Sequence, residues 1–224
     1  MNTMHRTLRI VVTALVVVVV LSGCGVGGTK MQKDAAGMTR ADVARLSLHE
    51  EYDRYRDRYG HMQRILEDAQ VQVYDGAWEW NSGDRVPGGG EGVVPLRGSD
   101  VENSYFLHTA RLWSPSGASG APADLEPMVE YFTAQGWQVY DRTLGDDHDV
   151  RGVTGDGWQV FYTVQSNGRY SLDVYSEPFW TNDARSLRGA VAGRSERNYP
   201  EESLPGVYPP FPEWDAPIVS PPKI

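Results

Sequence analysis

Apolar positions in this chain fall into two periods. The first is helical. Tyr52, Tyr55, Tyr59, Met62, Leu66, Ala69 and Val73 follow one another at spacings that alternate three and four. Val43 and Leu46 extend the stripe backwards, and Thr39 with Asp42 three residues on has the form of an N-terminal cap. The pattern predicts one long helix from about 39 to 74, with a narrow apolar seam. Charged residues such as Glu50 and Arg54 fill its other faces. At ~1.5 Å per residue it would reach about 50 Å, longer than a small domain. Either its second half alone packs on the domain, or the Tyr52, Tyr55, Tyr59 face is an interaction surface for a partner chain. A second amphipathic helix is predicted over Asp124–Gln135, with Leu125, Met128, Val129 and Phe132 on one face. Pro127 lies in its first turn and Gly136 follows its end.

The second period is two. Ser104–Trp113 predicts a strand with Phe106, His108, Ala110 and Leu112 on one side. Trp137–Arg142, Val150–Val153, Trp158–Gln165 and Arg169–Glu177 predict four more, with a turn over Gly145–Asp149. The last two form a hairpin around Asn167-Gly168. A two-residue loop would pair apolar with polar residues. A three-residue loop, Ser166-Asn167-Gly168, pairs Val164 with Tyr170, Tyr162 with Leu172 and Val160 with Val174, and keeps one face apolar. Burial selects the second, with Gly168 left-handed. Gly76–Asn81 reads as a short strand, the Gly-rich 83–100 as a loop, and 179–193 as holding a short helix. From Tyr199 on the chain carries 8 of its 14 prolines and cannot form a sheet interior. Tyr208, Phe211 and Trp214 predict that this tail docks. The order of elements predicts an α+β fold: a two-layer sandwich of a mainly antiparallel sheet with a long N-terminal helix and one crossover helix. The domain is expected over 39–180, with 181–224 a Pro-rich C-terminal extension.

Upstream of the stripe the pattern is different. Met1–Arg9 is short and polar, with Arg6 and Arg9, and Ile10–Leu21 is almost wholly Val, Leu, Ile and Ala. About twelve residues, all apolar but Thr13, fall well short of the ~20 that a spanning helix needs. A basic start, a short apolar run and small residues after it describe an export signal. Leu21-Ser22-Gly23-Cys24 resembles the lipobox of bacterial lipoproteins. That resemblance implies cleavage between Gly23 and Cys24, a diacylglyceryl group on the Cys24 sulfur, and attachment to the outer face of the cell membrane. Cys24 is the only cysteine, and lipidation would consume a thiol that has no partner. Residues 24–38, rich in Gly, then form a flexible tether. Together with the helix-to-strand junction at Gly136-Trp137, the layout resembles small actinobacterial lipoproteins of the LppA-like kind. No activity transfers with that likeness.

Composition supports a real core: 40% of residues are apolar, with 7 Trp and 12 Tyr. Net charge is −9, and cleavage leaves −11, since the signal takes two Arg and no acid with it. Such a surface argues against nucleic acid as a partner. Candidate chemistry is thin. His49-Glu50 opens like a zinc-protease motif, but Asp53 stands where the second His belongs. Asp146-Asp147-His148-Asp149 offers hard oxygens, yet four consecutive residues cannot converge on one cation. His108 reads as a hydrogen-bonded strand residue. Ser116–Gly120 lacks the spacing of a nucleophile elbow, and the glycines at 88–92 have no Lys-Ser/Thr after them. No catalytic, cofactor or metal residue is assigned. The expectation is a non-enzymatic, lipid-anchored binding module of the cell envelope. One alternative is a hydrolase using carboxylates, which needs a deep cleft with two acids facing. The other is a carrier of a small apolar ligand, which needs a cavity between sheet and helices.

The anchor has a direct test. The wild-type protein is expected to partition into detergent, and Cys24→Ser to appear in the soluble fraction or the medium. Equal membrane attachment of both proteins would refute lipidation at Cys24.

Overall fold

The three-four repeat forms a continuous helix only over Leu48–Val73 (α2); a single turn, Arg40–Val43 (α1), stands before it. These elements come from a computed structural model that describes residues 32–90 and 92–219. The expected signal segment, Cys24 and the first part of the expected tether lie outside the described residues. The Thr39 cap forms as predicted, its hydroxyl accepting from the Asp42 N–H and Asp42 accepting from the Thr39 N–H. Ser47 and Glu50 build a second capping box four residues beyond α1, and this is what divides the predicted 39–74 helix. The carbonyls of Val43 and Leu46, freed by the break, accept from the Asn182 amide, each at 3.0 Å. That amide donor stands 136 residues downstream of Leu46, which no local pattern reveals.

Seven strands form one antiparallel sheet. They are β1 (Trp78–Trp80), β4 (His108–Trp113), β5 (Gln138–Leu144), β6 (Asp147–Val153), β7 (Trp158–Val164), β8 (Tyr170–Ser176) and β10 (Glu202–Ser203). Their order is β10-β1-β4-β8-β7-β6-β5. The short β2 (Gly88–Gly89), β3 (Ser104–Phe106) and β9 (Phe179–Trp180) make a second sheet. A crossover helix, α3 (Glu126–Ala134), links β4 to the far edge strand β5, and α4 (Ala184–Arg194) follows β9. The fold is thus α+β, with α2 packed across β8 and β4, and α3 across β5 and β6. The β7–β8 hairpin has the predicted register: Val164 opposite Tyr170, Tyr162 opposite Leu172, Val160 opposite Val174. Gly168 takes φ +79°. Gly136 ends α3 at φ +71°, with the Trp137 N–H donating to the Phe132 carbonyl in a Schellman arrangement.

Several expectations are corrected. The predicted strand 104–113 divides at Leu107, because the Ser176 hydroxyl and N–H bond to the Leu107 N–H and carbonyl and turn the chain from one sheet to the other. The turn predicted over 145–149 is only Gly145-Asp146, and Asp147 and Asp149 belong to β6. The expected tether is not free to its end. Asp34 is buried and accepts from the N–H groups of Ala36, Met38 and Trp180. Nor does the domain stop at 180: Leu187 and Val191 of α4 belong to the central core.

The seam of α2 is wider than its repeat suggests. Tyr52, Tyr55, Tyr59, Met62, Leu66 and Ala69 are buried, and so are Glu51, Gln63, Ile65 and Gln70. The sheet, α3 and α4 all pack on the helix. So does the proline-rich tail, whose Phe211 ring lies 5.2–5.6 Å from those of Tyr52, Tyr55 and Tyr59. Tyr208 meets Tyr59, and Trp214 meets Tyr52 and stacks on His49. The Tyr52 hydroxyl donates to the Pro212 carbonyl at 3.0 Å. Prolines suit this strap because its backbone needs no sheet partner. The tyrosine face, one of whose two readings is a surface for a partner chain, is therefore already occupied by this chain's own segment around Phe211.

A buried carboxylate sits beneath the same helix. Asp84 accepts from Tyr59 Oη at 3.1 Å, Gln63 Nε2 at 3.0 Å, Thr109 Oγ1 at 2.8 Å and Arg111 Nη2 at 2.9 Å. The Arg111 guanidinium lies 3.4 Å from the centre of the Trp80 ring. Burial pulls Arg111 below the ordinary guanidinium range, and Asp84 opposes that shift.

Two measurements follow from this packing. Phe211→Ala, at a partly buried position, is expected to cost about 2–3 kcal/mol in chemical denaturation and to open the tail to proteolysis. A cost near zero with the tail still protected would show that the strap does not hold the tyrosines. The second concerns Glu51, which accepts from the Thr181 hydroxyl and the Asn182 N–H. Burial raises its carboxyl above the usual range despite those bonds. An acid with a raised folded value binds protons more readily folded than unfolded. Its contribution to stability therefore falls as pH climbs from about 4.3, the unfolded value, through the raised one. Asp42, Glu50 and Asp183, whose cap hydrogen bonds lower their values, act with the opposite sign. The stability of Glu51→Gln relative to wild type should rise with pH across the window above 4.3; a flat or falling difference contradicts the assignment.

Candidate functional site

The register Trp113 opposite Tyr170 puts two aromatic side chains at one end of the sheet. Both point to the helix side, as does Tyr162, whose ring stands 6.2 Å from that of Tyr170 and edge-on to it. Tyr74, just past α2, stacks on Trp113 with rings 4.9 Å apart and 8° from parallel. After β4 the chain forms a loop through Gly120, which presses against the β7–β8 hairpin. A Cβ on Gly120 would lie 2.6 Å from the Gln165 carbonyl group, and its φ is +71°, so the approach requires glycine. The loop leads into a 3-10 turn, Pro122–Leu125, and then α3. Together these segments enclose an open cavity of about 660 Å³.

Three aromatic rings and three carboxylates line it: Trp113, Tyr162, Tyr170, Asp124, Glu126 and Glu130. No Lys, Arg or His is among the described lining residues. Val73, the last residue of α2, also contributes, and the last turn of α2 holds no basic residue. The negative end of a 26-residue helix therefore stands at the cavity, and neither its last turn nor the described lining supplies a basic side chain. Tyr170 is fixed: its hydroxyl donates to Asp124 and accepts from the Gly120 N–H at 3.1 Å. Burial, then the bond to Asp124, raise its phenol above the ordinary value.

Tyr162 is not fixed. It is fully buried, and its hydroxyl has no hydrogen-bond partner. Burial pushes this phenol well up, and the neighbouring Tyr170 phenol and Asp124 carboxylate push it further. It is therefore a neutral hydroxyl, facing the Asp124–Tyr170 pair, with an unused donor. A buried donor left unpaired costs on the order of 1–3 kcal/mol; the Tyr55 hydroxyl in the core is also unpaired, but of the two only Tyr162 lines the cavity.

The residues weighed from sequence lie elsewhere. Tyr52, Tyr55 and Tyr59 are inside the core. His49 pairs with Asp53 at 3.5 Å on the exposed side of α2 and stacks on Trp214. His108 is on the outer sheet face, not the apolar one, bonded to Asp173 at 3.0 Å and stacked on Tyr175. It ends a row across five strands: Tyr140, Arg151, Phe161, Tyr175, His108. Asp149 is bound to Arg142 and Asp147 to Ser166, so the acids at 146–149 do not converge. Among the described residues no three His, Cys, Asp or Glu form a ligating group. Only Ser116–Gly120, considered as a nucleophile turn, reaches the cavity, and it does so as wall.

Sequence reasoning missed Tyr162, Tyr170, Trp113 and Asp124 as a site. One signal was available: Tyr162 and Tyr170 sit on the apolar face of a hairpin, and a buried tyrosine hydroxyl needs a partner. The partner of Tyr170 is in a different element, and Tyr162 has none. Compared with known protein families, curated proteins and solved structures, the chain has no match in any of the three.

Proposed function

We propose that this protein is a lipid-anchored binding module of the cell envelope, held at the outer face of the membrane through Cys24, and that its ligand occupies the cavity between Trp113, Tyr170 and α3. The lipobox sequence Leu21-Ser22-Gly23-Cys24 supports the location. The buried, unpartnered hydroxyl of Tyr162 in the cavity lining is the observation that carries the binding role. Ligand sites are mostly preformed clefts with aromatic walls and few polar groups that orient the guest. The ligand would supply the hydrogen bond that the protein withholds.

The hydrolase alternative draws on the three carboxylates in the same cavity. Two features weigh against it. Asp124 is committed to Tyr170, and Glu126 and Glu130 stand in solvent, where a glycosidase acid is normally packed against apolar groups. The carrier alternative needs space between sheet and helix. That space holds Tyr55, Met62, Val160, Tyr162, Leu172 and Val174, all fully buried.

The reading is tested with the detergent-solubilised full-length protein. A set of sugars, amines, amino acids and short peptides is screened by thermal shift, and the hits are mapped by NMR. Hits are expected to perturb Tyr162 and Trp113 first and to be released unchanged. Hits that map only to other surfaces, or that are turned over, would overturn it.

A further inference from the structure

The geometry points to a small organic ammonium compound carrying a neighbouring hydroxyl or carbonyl oxygen as the ligand of this cavity. The inference rests on the proposed binding role and adds the chemistry of the guest.

Three observations select a cation. The lining holds Asp124, Glu126 and Glu130 and no basic side chain. The C-terminal end of α2 adds the negative pole of a helix. Trp113 and Tyr170 contribute aromatic rings, whose faces attract ammonium and guanidinium groups. An anionic guest would meet repulsion from all of these.

A second feature narrows the class. Tyr162 is neutral and holds one unused O–H donor. Carboxylates accept the N–H groups of an ammonium, but only an oxygen on the guest can accept from Tyr162. No described protein group accepts from it, while beside it Asp124 Oδ2 takes the Tyr170 proton and Tyr170 Oη takes the Gly120 N–H. The site thus reads two groups at once, a positive nitrogen toward the carboxylates and an oxygen toward Tyr162.

The test uses the detergent-solubilised full-length protein and matched probes, at a pH where the amine is protonated. Glucosamine carries an ammonium and hydroxyls. N-acetylglucosamine keeps the ring and hydroxyls but is neutral. Cyclohexylamine keeps the charge and loses the oxygens. Glucosamine is expected to shift the NMR signals of Tyr162 and Trp113 and to bind about tenfold more tightly than either control. Its affinity should fall as salt is raised. Tyr162→Phe should weaken glucosamine about tenfold while leaving the ligand-free protein at least as heat-stable, because only an unpaired oxygen is removed. Glu126→Gln with Glu130→Gln, both exposed positions, should weaken glucosamine and leave N-acetylglucosamine unchanged.

Equal binding of the charged and neutral sugars would overturn the ammonium assignment. Undiminished binding by Tyr162→Phe would overturn the role of the oxygen. If neutral compounds shift Tyr162 and Trp113 and no amine does, the class is wrong and the cavity remains the binding site. If every ligand found maps elsewhere, the cavity assignment fails with it.

Discussion

A single charged group under α2 sets the terms for its surroundings. Asp84 lies in a loop with no regular structure, yet it is sealed from water and bonded to α2 through Tyr59 and Gln63 and to β4 through Thr109 and Arg111. A carboxylate can be buried only where donors surround it, and removing one partner of a buried pair typically costs about 3–5 kcal/mol. The requirement is geometric as much as energetic. Helix, strand and loop must arrive in one register, or four donors lose their acceptor together. This explains how a 26-residue helix with a seam of large tyrosines keeps a defined rotation against the sheet. Apolar burial alone would tolerate a small roll; the hydroxyl of Tyr59 and the amide of Gln63 do not.

The same tyrosines show why the sheet alone does not suffice to cover the helix. A tyrosine ring is apolar and its hydroxyl is not, so each wants an apolar wall with a polar gap. Tyr59 finds its gap at Asp84, inward. Tyr52 finds one outward, at the Pro212 carbonyl. Prolines make that strap effective: their carbonyls are free to accept, and no N–H is left to satisfy. On the outer face of the sheet, side chains cover one another. There Arg151 lies between Tyr140 and Phe161, and His108 stacks on Tyr175. Side-chain stacking partly screens that face.

Local signals in the sequence were strong where the physics is local. The hairpin register followed from which residues must be buried together, and Gly136 and Gly168 followed from turn geometry. The 3-4 stripe located the buried side of α2 correctly. What escaped was non-local. The break before Ser47 is stabilised by Asn182; the kink at Leu107 is set by Ser176; the folded stretch at Asp34 is held by the N–H of Trp180. Each is a hydrogen bond between distant segments, invisible to periodicity. The cavity is of the same kind. Trp113, Asp124, Tyr162 and Tyr170 come from four separate elements, and none stands out in its own neighbourhood. The tyrosine stripe was legible as apolar, but its partner was not: a seam can be covered by another chain or by the far end of its own.

That last arrangement bears on how the chain reaches its final state. The strap residues that close over Tyr52 stand about 160 places later in the sequence. Contacts between such remote segments form late, because the intervening loop must first be closed. As residues 52–59 emerge from the ribosome, nothing of the strap has yet been synthesised. Helix α2 is therefore completed only once a segment some 160 residues further on has been made, and a chain cut just before Tyr208 would leave Tyr52 and Tyr59 without that cover.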